Sequence, residues 1–388
     1  MNPNVKTVLI HSSLFIVTFI TTTLAGAEWT HGKSVLFGEF TWQDFASGLP
    51  YSISFLAVLT VHEFGHYFTA MYHRVRASLP YFIPLPPIPM MFGTLGALIR
   101  LRERVTTTTK NFDIGIAGPL AGFVTAVILL WYGFTHLPPP EYIFTIHPEY
   151  EQFGLNYGNF VYNPGFHEQG GLLPMAGKNL LFVFFEKFVA DPARVPNMYE
   201  LIHYPFLFAG FLSLVFTAIN LLPIGQLDGG HVLYGLVGYK WHKRIASVFF
   251  VGFLFYAGLG YVHPADGWEV LWYKIPLFVG FIYFTLQSLD LSTRDRWMYA
   301  LIIFTTQYGL VSFFPTVQGY PGWLLFVLLI GRFVKVSHPP SEIEERLTTG
   351  RIILGCIAIL IFIICFTPQP LQVIIIEPVK DAVAQIGY

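Results

Sequence analysis

The sequence has 388 residues, a net charge of -1, 54% hydrophobic residues and only 12% charged ones, with a mean hydropathy of +0.56. A soluble domain carries about 25% charged residues, so these values exclude one and indicate a multispanning membrane protein. The balanced charge gives no argument for nucleic acid or for an acidic partner.

Apolar segments of roughly the 20 residues needed to span a bilayer recur along the chain. They lie at 5–26, 46–70, 112–134, 204–224, 245–262, 269–288, 297–315, 322–334 and 352–368. The segment at 322–334 is short, so the pattern predicts eight or nine transmembrane helices. The first apolar run starts around Val8 without an Arg- and Ser-rich leader, and reads as an uncleaved span. Cys356 and Cys365 fall in the last one. Nine residues of helix put them on opposite faces, roughly 13 Å apart along the axis, so no disulfide joins them.

Two long polar intervals interrupt this pattern. Residues 71–111 are basic and rich in Pro and Gly, whereas 135–203 are acidic and contain His136, His147, His167 and His203. With the N-terminus inside, most Lys and Arg residues fall in inner loops, including Arg74, Arg76, Arg100, Arg102, Arg104 and Lys110. This asymmetry sets the orientation and makes 71–111 cytoplasmic and 135–203 extracytoplasmic. The irregular His spacings in the outer interval favour a solvated loop region over a second metal site or a lid. Its apolar patch from Gly177 to Val189 is suited to the membrane surface.

His62-Glu63-Phe64-Gly65-His66 reads H-E-x-x-H near the inner end of the second segment. On a helix, i and i+4 share a face, so both imidazoles reach one zinc while Glu63 addresses its water. Packed histidines beside an unrelated carboxylate are the competing reading, but unpaired ionisable groups in lipid cost several kcal/mol. A zinc hydrolase needs a third protein ligand. Asp228 is the acidic residue bordering the fourth segment, in Asn220-Leu221-Leu222-Pro223-Ile224-Gly225-Gln226-Leu227-Asp228-Gly229-Gly230. The predicted topology puts Asp228 at the same inner face as the histidines. An ordinary helix-end turn is the bland account of Asp-Gly-Gly. His231 is an alternative ligand or a partner of one.

These two segments together resemble the site-2 protease family of intramembrane zinc metalloproteases. Gly93-Thr94-Leu95-Gly96-Ala97, Gly118-Pro119-Leu120-Ala121-Gly122 and His338-Pro339-Pro340 extend the resemblance over most of residues 50–351. They point to the branch with the plastid members of plants, without that branch's N-terminal extension. The resemblance implies one zinc per chain held by His62, His66 and Asp228. It implies Glu63 as catalytic acid/base and Asn220 as the group that positions substrate or the developing oxyanion. The Pro-rich stretch from Leu79 to Pro89 cannot be a regular helix. With Gly93, Thr94, Leu95 and Gly96 it is expected to form a re-entrant extended segment near the metal. Its edge would receive an unwound substrate strand; a plain basic connector is the alternative.

The sequence therefore predicts an all-α polytopic membrane protein, residues 1–388 forming one integral-membrane protease domain. Its predicted partners are the lipid bilayer and a membrane-anchored or membrane-spanning protein substrate. The predicted location is a bacterial-type cell (inner) membrane, with the active site near the cytoplasmic face. A membrane zinc or ion transporter and a catalytically silent family member are the competing functions. A transporter needs no Glu poised between two ligands, and the intact Glu63 counts against the silent member.

Overall fold

The computed structural model describes residues 3–162 and 171–376; His167 of the outer interval lies outside them. The described chain is mostly helical, and each of the nine apolar segments contains a helix. Among the described residues, three helices are long and apolar enough to cross a membrane: Val5–His31, Thr108–Thr135 and Trp268–Ser288. The chain divides into two compact units.

The first unit comprises Met1–Glu103, Ala117–Ile219 and Ile363–Tyr388. It opens with α1 (Pro3–His31), the short α2 (Trp42–Ser47) and α3 (Leu49–Tyr72). Several buried threonines of α1 turn their hydroxyls to their own helix. Thr22 and Thr23 donate to the carbonyls of Thr18 and Phe19, each at 2.7 Å, which makes these polar side chains tolerable in an apolar setting. Thr41 and Asp44 form a capping box that starts α2. Gly26 and Gly48 let α1 meet the α2–α3 junction, because a methyl on Gly26 would come within 2.6 Å of the Gly48 carbonyl oxygen.

The prolines after α3 preclude a helix, and the chain forms an antiparallel hairpin of β1 (Tyr81–Pro84) and β2 (Thr94–Leu98). Tyr81 pairs with Leu98 and Phe82 with Ala97, with an irregularity before Pro84 pairs with Thr94. This segment lies along α1. The Pro80 carbonyl is 3.0 Å from His11 Nδ1, Thr21 donates to the Gly93 carbonyl at 2.7 Å, and the Trp29 indole donates to the Met91 carbonyl at 3.0 Å. Eighteen residues of helix separate His11 from Trp29, roughly 27 Å of axis. Gly93 has φ +80 and sits directly on the Thr21–Thr22 backbone, a place no side chain fits.

Next comes α4 (Thr108–Thr135), whose residues from Ala117 onward belong to this unit. The interval after it differs from the predicted loop. It holds 3₁₀ turns, strand β3 (Gly171–Ala176) and helix α5 (Leu180–Phe188), before α6 (Pro205–Asn220). Asn179 caps α5 by accepting from the Phe182 N–H. Phe182 and Phe185 are buried, while Leu180, Phe184 and Phe188 are exposed.

The second unit comprises Arg104–Ile116 and Asn220–Phe362. It holds α7 (Asp228–Gly258), α8 (Trp268–Thr285), α9 (Thr293–Phe313), α10 (Trp323–Leu329) and most of α11 (Thr349–Cys365). The kink at Gly238, with φ +73, divides α7. Buried Gln307 of α9 donates to the Phe255 carbonyl of α7 at 2.8 Å. Arg351 of α11 grips Asp113 through two parallel bonds of 2.7 and 2.8 Å. In the first unit, β3 pairs along its whole length with β4 (Leu371–Ile376). Cys356 is exposed and Cys365 buried, both as free thiols.

Candidate metal centre

His62, Glu63 and His66 occupy one turn of α3 and are only 6–7% exposed. The helical spacing brings the two Nε2 atoms to 3.1 Å of each other, with the rings edge to face at 4.8 Å between centroids. Two ligands on a tetrahedral zinc with 2.0–2.1 Å bonds stand about 3.3 Å apart, so the separation suits a shared metal. Glu63 Oε1 lies 3.9 Å from His62 Nε2, close enough to act on a group held there.

What holds the rings in place comes from α4. A methyl on Gly118 would overlap Nε2 of His66, and one on Gly122 would come within 3.1 Å of His62 Cβ and Nδ1. Gly65 in turn meets the Ala117 carbonyl, 2.7 Å from its hypothetical Cβ. Glycines on facing helices allow backbones to approach closely, and here they leave room for two imidazoles. The sequence singles out Gly118 and Gly122 only through a motif; their packing role is visible only in the structure.

Asp228 lies in the first turn of α7, beyond the fourth apolar segment, because α6 ends at Asn220 and the intervening residues form a turn. The turn is held by the Gly225 N–H donating to the Val336 carbonyl at 3.0 Å. Gly229 packs on the Leu221 carbonyl and Gly230 on the Gly225 carbonyl, leaving no space for a methyl on either. A carboxylate at a helix N-terminus is also favoured by the helix dipole. His62 and His66 belong to the first unit and Asp228 to the second.

His231 Nδ1 lies 2.9 Å from Nε2 of His338. His338 stacks on Tyr234 at 4.3 Å, and burial lowers its pKa by disfavouring the charged form. The His-Pro-Pro motif therefore supplies a partner for His231. Asn220 is the last residue of α6. Of the residues predicted to bind substrate, Thr94 is buried and donates to the Ile83 carbonyl across the hairpin at 2.8 Å, while Leu95 is 64% exposed. Gly96 has φ +102 and donates its N–H to Thr94 Oγ1.

Comparison with known proteins adds the following. The chain is similar to a protein of Arabidopsis thaliana described as probable zinc metalloprotease EGY1, chloroplastic. They are 28% identical over 192 residues, covering 50% of this chain and 30% of the relative. The rice (Oryza sativa subsp. japonica) protein of the same description is 29% identical over 198 residues, covering 50% and 28%. The Arabidopsis protein described as probable zinc metalloprotease EGY2, chloroplastic, is 27% identical over 210 residues, covering 53% and 32%. The match thus spans about a third of these relatives' length. No solved structure matches. The model of Peptidase family M50 matches residues 50–262, more than half of the chain, and that stretch contains His62, Glu63, His66, Asn220 and Asp228; the chain belongs to peptidase family M50.

Proposed function

We propose that this chain is an intramembrane zinc metalloprotease that hydrolyses peptide bonds of membrane-spanning or membrane-anchored regulatory proteins. The observation that carries the reading is the turn of α3 on which two buried imidazoles 3.1 Å apart flank a carboxylate, inside the stretch matched by the M50 family. The residue types fit zinc, two imidazoles and one carboxylate, and Gly118 leaves room for the His66 ring.

His62, His66 and Asp228 hold the metal in this reading. When bound, zinc lowers the pKa of its water to about 7 and polarises a carbonyl. Glu63 takes the proton from the attacking water and returns it to the departing amide nitrogen. The Asn220 carboxamide donates to the carbonyl oxygen as charge builds on it. The edge of β2 that faces away from β1 receives the substrate backbone, a helix that must unwind before a peptide bond is exposed. Gly93, just before β2, and Thr94, Leu95 and Gly96 within it supply that receiving edge.

The topology belongs to the same proposal. The chain is an integral-membrane domain of eight or nine spans, with 71–111 as a cytoplasmic and re-entrant segment and 135–203 outside. Support for re-entry is the contact of residues 80–93 with α1 at His11, Thr21 and Trp29. The predicted bacterial-type inner membrane gains no support from the relatives, whose descriptions place them in chloroplasts.

The test is cleavage of a panel of single-span substrates by purified protein, with zinc measured on the same samples. Cleavage that needs bound zinc and Glu63 is the expected result. Turnover in metal-free protein would sink the proposal.

A further inference from the structure

A second group of ligand-type side chains lies in the first unit, far along the chain from α3. His147 precedes a run of 3₁₀ turns, Pro148–Asn159, while Glu200 precedes and His203 ends the short turn Leu201–His203. His147 is partly buried, and Glu200 and His203 are 2% and 8% exposed. One ligand atom from each lies within 4.8 Å of the others.

The hydrogen bonds around these rings decide where the protons are. His203 Nδ1 lies 3.0 Å from the Thr30 carbonyl oxygen. A carbonyl only accepts, so Nδ1 carries the proton and Nε2 presents its lone pair. His147 Nδ1 lies 2.9 Å from Glu149 Oε1, an exposed carboxylate that likewise accepts, which turns the His147 Nε2 lone pair inward. The two Nε2 atoms then face each other at 3.3 Å. Glu200 Oε2 is also 3.3 Å from His203 Nε2. Its other oxygen accepts from the Tyr162 hydroxyl. Three ligand atoms thus converge. A proton shared between any two of them serves only that pair, whereas a metal cation serves all three at once.

From this convergence we infer that His147, Glu200 and His203 form a second divalent transition-metal site, of the zinc class and separate from the α3 centre. The two 3.3 Å separations equal the edge of a tetrahedron built on bonds of 2.0–2.1 Å, which is about 3.3 Å. Imidazole Nδ1 atoms anchored on a carbonyl and a carboxylate are the arrangement that fixes the tautomer of metal-binding histidines. Imidazole and carboxylate donors select zinc-like ions over magnesium or calcium. The three residues line a cavity of about 350 Å³ bordered by Glu28, Trp29 and Tyr199, which leaves the fourth position open to water or a small ligand. A metal here ties the 3₁₀ segment to the turn before α6. Through the Thr30 bond it also ties them to the C-terminal end of α1.

The experiment is metal counting on the full chain purified in detergent without chelators, by mass spectrometry after zinc loading. Wild type should hold two zinc ions per chain, His66→Ala one, His147→Gln one, and the double variant none. The partly buried His147 is chosen because its replacement disturbs the fold least. Cobalt loaded into His66→Ala should give the intense visible absorption of a four-coordinate ion, and Glu200→Gln in that background should abolish it. One zinc in wild type, lost in His66→Ala and kept in His147→Gln, overturns the inference and leaves the α3 centre intact. One zinc lost only in His147→Gln does the reverse. A wild type without zinc removes both.

Discussion

Gly118 packs so tightly against the imidazole of His66 that one methyl group on it would overlap Nε2. The glycine thus shapes the candidate metal centre without offering a ligand.

Gly118→Ala should push the His66 ring off its position and weaken zinc binding by about 10–100-fold, the usual loss when support around a metal ligand is disturbed. Gly122→Ala should cost less than tenfold, since its added carbon would lie 3.1 Å from the nearest His62 atoms. Zinc affinity by competition with a chromophoric chelator ranks the two. Equal effects would show that ring support is not the cause.

Glu63→Gln should keep zinc at the wild-type level and lower cleavage by about 10²–10⁴-fold, the range of a lost general base. His66→Ala should lose metal at the α3 centre and activity together. Zinc content and single-turnover cleavage, measured on one preparation, separate the roles. Near wild-type rates in zinc-loaded Glu63→Gln would remove Glu63 from the chemistry.

Leu95→Pro should impair cleavage more than Leu95→Ala. Leu95 is exposed on β2, so alanine removes only side-chain surface, while proline deletes a backbone donor. Both variants should retain zinc. A proline variant as active as the alanine variant would rule out strand addition at this edge.

Acid should destabilise the second unit through His338. Burial depresses its pKa below the unfolded value of about 6.5. The unfolded chain therefore binds the proton first, and this contribution is complete above about pH 6.5 and lost as pH falls toward the folded value. Melting temperature followed from pH 8 to pH 5 should drop less in His338→Asn than in wild type. An identical slope would assign the acid sensitivity elsewhere.

The local parts of this protein are legible in its sequence. The four-residue spacing of His62 and His66 dictates a shared face wherever the segment is helical, and α3 is helical there. Prolines between Pro80 and Pro89 forbid a helix by their missing donors, and the hairpin of β1 and β2 follows. Other features depend on residues far apart. The pairing of β3 with β4 joins Gly171 to Ile376, and no local pattern near either strand names its partner. The same holds for His147 and His203, fifty-six positions apart, with no periodic spacing to mark them. The glycines of α4 carry no chemistry of their own, so only the packing of helix on helix reveals that they shape the place of two imidazoles. Short-range spacing fixes which face a side chain takes, because backbone geometry alone sets it. Which faces meet is settled by tertiary packing, where burial and close backbone approach act between segments that the sequence keeps apart.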